Sequence, residues 1–301
     1  EGIINGKVSV ENQGNFTGTI TVNTFENKGQ INGQIYMGIW GSNQGTLTID
    51  NFNNSGTIKE DNNYGIFIED GTIDNFTNSG TIVSNGEKEP EDHATNYTST
   101  GIRIYNKSYI KTFDNQGSIS GKFGVKLLGS TIDNFKNNGI IESTSKHKNG
   151  AAISISNLIG SGSTIKNFEN SGTIKANDAS GILIEAGNKI ETLTNKGTIE
   201  ASLYGIGFYA VDNYGDQVEI GKITIEESGV IKAGNDAIHI DGANKGIKGE
   251  GIDVKGRLEG GNAGIYIGGG KQVSTSIKVS GTIQGGNGGI INTGTIGQEG
   301  Q

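Results

Sequence analysis

Apolar and polar residues alternate along this chain in short runs, and glycine and asparagine separate the runs. The run 72–82 reads Thr-Ile-Asp-Asn-Phe-Thr-Asn-Ser-Gly-Thr-Ile, and close copies begin at Thr48, Thr131 and Thr164. A second phrase, Gly-Ile-x-Ile, follows most copies, for example from Gly65. A period of two is that of a β-strand, and no apolar pattern with helical spacing is sustained. Repetition every few tens of residues predicts a stacked fold whose repeats contact mainly their neighbours.

Aligning the copies on the glycine of the Asn-x-Gly-x-Ile phrase places like residues at like positions. These anchor glycines are Gly14, Gly29, Gly56, Gly80, Gly117, Gly139, Gly172, Gly197, Gly229, Gly256, Gly281 and Gly294. Four positions before most anchors lies a large apolar residue, namely Phe25, Phe52, Phe76, Phe113, Phe135, Phe168, Leu193, Ile225, Ile252 or Ile277. Each copy offers three short strands separated by corners. We therefore predict an all-β parallel β-helix of about ten to eleven coils, on the order of 50 Å long.

The position two residues before the anchor glycine predicts an asparagine ladder inside the stack. It is occupied by Asn54, Asn78, Asn115, Asn137, Asn170 and Asn195, and later by Val254 and Val279. An inward amide needs a partner, and stacked asparagines hydrogen-bond one another along a stack. Turn geometry alone would also favour asparagine at a corner. That alternative does not account for the replacement by valine.

The repeat runs from end to end, so we interpret residues 1–301 as a single β-helix domain. Longer stretches between phrases predict loops that leave the coil at its corners. They span residues 83–99, 142–150, 156–163, 210–221, 242–251 and 268–275. Loops on a rigid scaffold are where binding function usually lies. Because the chain begins at Glu1 without methionine and stops at Gln301 without a visible cap, we expect a piece of a longer protein.

Composition and charge exclude several classes of function. The net charge of −8 and the scattered Lys and Arg residues argue against a nucleic-acid partner, which needs a concentrated basic face. No apolar run approaches about 18 residues, so we expect no direct membrane insertion of this segment. The absence of cysteine fits the cytosol and equally fits a bacterial protein that crosses a membrane unfolded.

The sequence offers little catalytic chemistry. The three histidines are dispersed, and no Gly-x-Ser-x-Gly nucleophile motif occurs. The segment around His239 and Asp241 is weakly similar to the paired acids of pectin-cleaving β-helix enzymes. The same segment is also this coil's version of Gly-Ile-x-Ile, with His239 facing outward. No metal-binding or phosphate-binding pattern is present, so we predict no cofactor and no catalytic residues.

The outward position of the Gly-Ile-x-Ile phrase predicts a side face. Residues assigned to a binding face there are Trp40, Phe67, Arg103, Lys126 and Tyr266. Exposed aromatics in such a row form a contact stripe for carbohydrate or protein. The alternative is that an insertion or another chain covers them.

The Phe-x-Asn-x-Gly-x-Ile and Gly-Ile-x-Ile phrases, with a cysteine-free composition rich in Asn, Gly, Thr and Ile, resemble the passenger domains of bacterial autotransporters. The resemblance implies a right-handed parallel β-helix, exported through a C-terminal outer-membrane translocator barrel to the surface of a Gram-negative bacterium. It implies an adhesin-like rod that binds host proteins, host glycans or sister cells. Protease members carry a Gly-Asp-Ser-Gly motif, which this chain lacks. The alternatives are a polysaccharide-cleaving β-helix enzyme and a passive spacer.

Overall fold

The computed structural model describes residues 2–12, 17–39, 45–90, 99–158, 161–209, 218–241, 246–248, 250–268, 272–273 and 276–297. Within these residues the chain forms strands and connections and no helix. The strands build three parallel sheets that wind as a right-handed parallel β-helix, which confirms the predicted fold. Each of eleven successive coils contributes to all three sheets.

The first sheet follows the anchor glycines. Its eleven strands, in order along the rod, are Ile3–Asn5, Gln30–Asn32, Thr57–Glu60, Thr81–Ser84, Ser118–Gly121, Ile140–Ser143, Thr173–Ala176, Thr198–Ala201, Val230–Ala233, Arg257–Gly260 and Thr282–Gly285. The second sheet contains the Gly-Ile-x-Ile phrases. Its eleven strands are Val8–Asn12, Ile35–Ile39, Tyr64–Glu69, Thr100–Tyr105, Phe123–Leu128, Ala151–Ser156, Ser180–Glu185, Tyr204–Tyr209, Asp236–Ile240, Ala263–Ile267 and Gly288–Asn292.

The third sheet carries the phenylalanine and asparagine positions. Its strands are Thr19–Asn27, Thr46–Asn54, Gly71–Asn78, Tyr109–Asn115, Thr131–Asn137, Thr164–Asn170, Lys189–Asn195, Val218–Ile225, Gly246–Lys248, Gly251–Val254, Gln272–Val273, Ile277–Val279 and Thr295–Ile296. In the ninth and tenth coils the strand is divided in two. The long strand Val218–Ile225 pairs with both Gly246–Lys248 and Gly251–Val254.

The phenylalanine column is a continuous stack of rings inside the rod. Consecutive rings of Phe25, Phe52, Phe76, Phe113, Phe135 and Phe168 lie 4.6–5.1 Å apart between centroids, with interplanar angles of 2–10°. The rings from Phe52 onward are at most 1% exposed. Isoleucine columns from all three sheets pack against this stack in one continuous core. Burial of apolar area is the main driving force, and no single coil can supply it alone.

The predicted asparagine ladder is confirmed. Its amides run from Asn27 through Asn54, Asn78, Asn115, Asn137 and Asn170 to Asn195. In each step Nδ2 of one asparagine donates to Oδ1 in the next coil, at 2.7–2.8 Å. Every Nδ2 also approaches backbone carbonyls at the corner, such as Gly117 O and Ile140 O for Asn115. The buried amides are therefore satisfied, as burial requires.

Two positions in the glycine-based alignment were wrong. The residue that continues the phenylalanine column after Leu193 is Ile223, whereas Ile225 aligns with Asn195 in the ladder column. The reason is a corner that is two residues longer in this coil, so that counting back from Gly229 shifts the register. Gly294 precedes a strand of the third sheet and not of the first. Gly14 lies outside the described residues.

The anchor glycines are required by the close approach of successive coils. They have no left-handed backbone conformation, yet a Cβ at Gly117 would lie 2.0 Å from the carbonyl oxygen of Gly80. The same contact recurs at 2.0–2.2 Å at Gly29, Gly56, Gly80, Gly139, Gly172 and Gly197. Any side chain at this corner would push two coils apart.

Gly117→Ala is accordingly expected to lower the free energy of unfolding by at least about 1–3 kcal/mol, the usual cost of overpacking. Gly71→Ala is the matched control, since its added Cβ would meet only ordinary contacts, the nearest at 3.5 Å. Urea unfolding of the two variants measures the difference. Equal midpoints for both would contradict the proposed role of the corner glycine.

Candidate functional site

The outward positions of the second sheet form a row along one side of the rod. Strand pairing places Tyr36, Phe67, Arg103, Lys126, Ser154, Leu183, Gly207, His239, Tyr266 and Ile291 in succession. Phe67 and Tyr266 thus occupy the predicted row and are half-buried. The residue beside Phe67 is Tyr36, and not Trp40 as the sequence spacing suggests. Trp40 itself lies outside the described residues.

The middle of this row is covered, so the two cations assigned to the binding face are not on the surface. Arg103 is 5% exposed and Lys126 is 2% exposed. The Lys126 Nζ lies 4.3 Å from the centroid of the Phe123 ring. Ser154 and Leu183 continue the buried stretch. The alternative of a covered face therefore holds for the centre, and accessible side chains remain only toward the two ends.

Toward the N-terminal end, four aromatic rings and one arginine form a cluster. We call Tyr36, Tyr64, Phe67, Arg103 and Tyr105 the N-terminal cluster. The Phe67 ring lies 5.4, 5.2 and 5.9 Å from the rings of the three tyrosines. The guanidinium carbon of Arg103 lies 4.8–5.5 Å from the rings of Tyr64, Phe67 and Tyr105. A guanidinium is weakly hydrated and stacks well on rings, which explains how this charge is buried.

Two half-buried carboxylates border the N-terminal cluster. The hydroxyl of Tyr36 donates to Glu69 at 2.9 Å, and Nδ2 of Asn106 donates to Asp70 at 2.7 Å. Burial raises the pKa of Glu69 and of Asp70 above the ordinary values, and these hydrogen bonds oppose the shift in part. Asp70 and Asn106 both have positive φ angles near 51°. Carboxylates with a shifted pKa, on a corner whose backbone has positive φ angles, are typical of recognition sites as well as of structural networks.

The loop that follows Ser84 is tied to the neighbouring coils through Glu89. The Glu89 carboxylate accepts hydrogen bonds from Lys122 Nζ, Ser145 Oγ and the backbone N–H of Lys146. Burial would raise the pKa of Glu89, but these three donors outweigh it and hold that pKa below its ordinary value. Pro90, next in the loop, is buried.

The attachment of this loop should weaken in acid. Because the folded pKa of Glu89 is lowered, its stabilising contribution is present above the unfolded pKa of about 4.3 and is lost as pH falls through the folded value. Glu89→Gln should increase hydrogen exchange of peptides covering 85–90 by roughly 2- to 5-fold at neutral pH, as expected for a partly exposed ion pair. Glu87→Gln, at an exposed position of the same loop, is the control and should change nothing. Protection that is unaffected by Glu89→Gln would exclude this anchor.

Toward the C-terminal end, three rings stack on one another, and we call Tyr204, His239 and Tyr266 the C-terminal stack. Ring centroids lie 3.9 Å apart between Tyr204 and His239, and 5.0 Å apart between His239 and Tyr266. The interplanar angles are 12° and 8°. Tyr204 reaches this stack by lying over Gly207, where an added Cβ would meet its ring at 3.0 Å.

A buried carboxylate fixes the histidine of the C-terminal stack. Oδ2 of Asp236 lies 2.7 Å from His239 Nδ1, and Asp236 is 1% exposed. Its Oδ1 accepts from Nδ2 of Asn262 at 2.7 Å and from the backbone N–H of Ala263 at 3.0 Å. The sequence interpretation treated His239 as a simple outward residue. The Asp-x-x-His spacing of Asp236 and His239 on one strand was the signal that could have revealed the pair.

The described residues contain no group of three or more His, Cys, Asp or Glu side chains that could hold a metal ion. Among the same residues, no helix is long and apolar enough to cross a membrane. Comparison of the chain with family models, with curated proteins and with solved structures gives no match.

Proposed function

We propose that this chain is a non-enzymatic binding rod, displayed on the surface of a Gram-negative bacterium as part of an autotransporter passenger. It presents one side face and its corner loops to host proteins, host glycans or sister cells. The observation that carries the proposal is a pair of aromatic groups on the outward row of a rod whose interior is filled. In the N-terminal cluster Phe67 and Tyr105 are partly exposed, and in the C-terminal stack all three rings are partly exposed. Aromatic residues are enriched at recognition surfaces.

The rod is suited to presentation because its register is unbroken. Parallel pairing continues through eleven coils. Isoleucine packing along the core is joined by ring stacking in the first six coils and by amide hydrogen bonds in the first seven. Such a stack is stiff, so side chains on its outside keep fixed positions relative to one another. The resemblance of the repeat phrases to autotransporter passengers and the lack of cysteine support export and surface display.

The alternative of a polysaccharide-cleaving enzyme finds less support at the one place where the sequence suggests it. Cleavage by an acid–base pair needs two carboxyl groups that both reach the substrate. Asp236 is buried and already accepts three hydrogen bonds. Asp241 lies against the next coil, where a Cβ at Gly268 would meet its Oδ1 at 2.4 Å. These contacts favour recognition over catalysis at this end of the rod.

Attachment of the purified 301-residue chain to host cells and to beads coated with the same chain tests the proposal. We expect saturable attachment that Phe67→Ala weakens by at least about tenfold, the effect of losing a central aromatic contact. Lys111→Ala, at an exposed position of the third sheet, is the control and should attach like the unmodified chain. Absence of attachment would favour a passive spacer, and release of reducing ends from a polysaccharide panel would favour an enzyme.

A further inference from the structure

The imidazole of His239 is held on three sides and open on the fourth. Tyr204 covers one face of the ring, Tyr266 covers the other, and Asp236 binds Nδ1. About 14% of the side chain remains exposed. Among the described residues, no donor or acceptor bonds Nε2 of this ring. A histidine that only filled space in a stack of rings would not need a buried carboxylate to orient it.

The hydrogen bond to Asp236 determines what the outer edge of the ring can do. A carboxylate only accepts hydrogen bonds, so Nδ1 of His239 carries the proton. In the neutral ring Nε2 is then an acceptor, facing away from Asp236. The other oxygen of Asp236 is occupied by two N–H groups of the next coil, so this carboxylate cannot turn toward a ligand. The stack thus presents a fixed acceptor with one phenol on either side along the rod.

The charges that act on this site are negative. The carboxylates of Asp236 and Asp241 act on the phenol of Tyr204, whose pKa is raised first by burial and then by these charges. The chain as a whole carries a net charge of −8. A negative field opposes a sulfated or carboxylated ligand. A neutral hydroxyl group suits a fixed acceptor, and it can also accept from a phenol.

We propose that the C-terminal stack is a subsite for a neutral saccharide, whose hydroxyl groups donate to Nε2 of His239 and exchange hydrogen bonds with the phenols of Tyr204 and Tyr266. The inference rests on the proposed function, because it names the ligand class of the face to which binding is assigned.

Imidazole NMR of the ¹⁵N-labelled chain tests this subsite directly. Only three histidines occur, and His147, whose Nδ1 accepts from the Asn149 N–H, serves as an internal reference. The probes are maltohexaose, hexa-N-acetylchitohexaose and a sulfated heparin hexasaccharide at millimolar concentrations. We expect Nε2 of His239 to shift saturably with at least one neutral hexasaccharide, while His147 does not move. Tyr266→Phe, which keeps the ring and removes the hydroxyl, should weaken that binding by roughly 3- to 10-fold, the effect of one neutral hydrogen bond.

His239→Phe keeps an aromatic ring in the stack and removes Nε2, so binding of the same saccharide, measured by calorimetry, should be lost. A shift with the sulfated probe alone, no shift with any neutral probe, or unchanged binding by His239→Phe would overturn the assignment. The proposed function is judged separately by cell attachment. If the unmodified rod attaches to cells but His239 responds to no neutral saccharide, the binding rod stands and this subsite does not. If His239 responds to a neutral saccharide but the rod attaches to nothing, this subsite stands and the cell-binding function does not.

Discussion

Replacing Phe113 with alanine is expected to lower the free energy of unfolding by about 3–5 kcal/mol, the usual range for deletion of a buried aromatic ring. Phe113 is fully buried, and its ring stacks on Phe76 at 4.8 Å and on Phe135 at 4.7 Å. Loss of the ring leaves a cavity and removes both stacking contacts, each worth about 0.5–1.5 kcal/mol beyond area burial. The neighbouring coils cannot collapse into the gap without breaking the register of three sheets.

The effect should be local, because each coil contacts mainly the coils beside it. Hydrogen exchange should therefore increase most in strands Gly71–Asn78, Tyr109–Asn115 and Thr131–Asn137. Phe113→Leu is the control, since leucine already occupies this column at Leu193, and it should cost clearly less. A loss of less than about 1 kcal/mol for the alanine variant would mean that the ring is not in the core.

Asn115→Ala is expected to be the second most damaging change, costing about 2–5 kcal/mol. It removes the acceptor for Asn78 Nδ2 and the donor for Asn137 Oδ1, both at 2.8 Å. Each of these buried groups then loses its ladder partner, at a cost of about 1–3 kcal/mol apiece, although Asn78 Nδ2 keeps its longer bonds to Gly80 O and Ser118 O, both at 3.3 Å. Water cannot reach them, because Asn78, Asn115 and Asn137 are all 0% exposed.

The end of the ladder provides the matched comparison. Beyond Asn195 the column continues with Ile225, so Asn195→Ala breaks only one ladder bond, the one from Asn170. We expect roughly half the loss seen for Asn115→Ala, measured by urea unfolding under the same conditions. Equal losses at the two positions would show that the asparagines stabilise their own corners and not one another.

The fold could be predicted from the sequence because identical positions stack on one another. A residue type that suits one coil suits the next. Equivalents of Phe76, Asn78 and Gly80 therefore recur in successive coils with the same spacing, and the columns can be recognised in the sequence. Each column also has its own physical reason. The phenylalanines stack their rings, the asparagines pair their amides, and at the glycine corner two coils approach too closely for a Cβ atom. Where one coil gained two residues before Gly229, the spacing misled the alignment and Ile225 was assigned to the wrong column.

The side face was harder to predict because its environment depends on the loops. Alternation shows that Arg103 and Lys126 point away from the core, but it cannot show that this part of the outer face is covered. The C-terminal stack could not be predicted from the alternation of residues. Tyr204 lies three positions before the outward Gly207, and its ring reaches the row by lying over that glycine.

A second buried column of polar residues was also missed in the sequence analysis. It follows the corner between the second and third sheets through Ser108, Ser130, Ser163 and Asn188, where serine looks like an ordinary turn residue.

The register of successive coils can be tested most directly by cysteine pairs, since the chain contains no cysteine of its own. Thr81 and Ser118 face each other on adjacent strands of the first sheet, with their hydroxyl oxygens 3.3 Å apart, whereas Ser120 pairs with Val83. Adjacent strands lie about 4.8 Å apart, within the span of a disulfide. Under mild oxidation, the Thr81→Cys/Ser118→Cys chain should form an intramolecular disulfide rapidly, and Thr81→Cys/Ser120→Cys should form it far more slowly. Equal rates for the two pairs, or closure of the second pair alone, would contradict the stacked register on which the whole account depends.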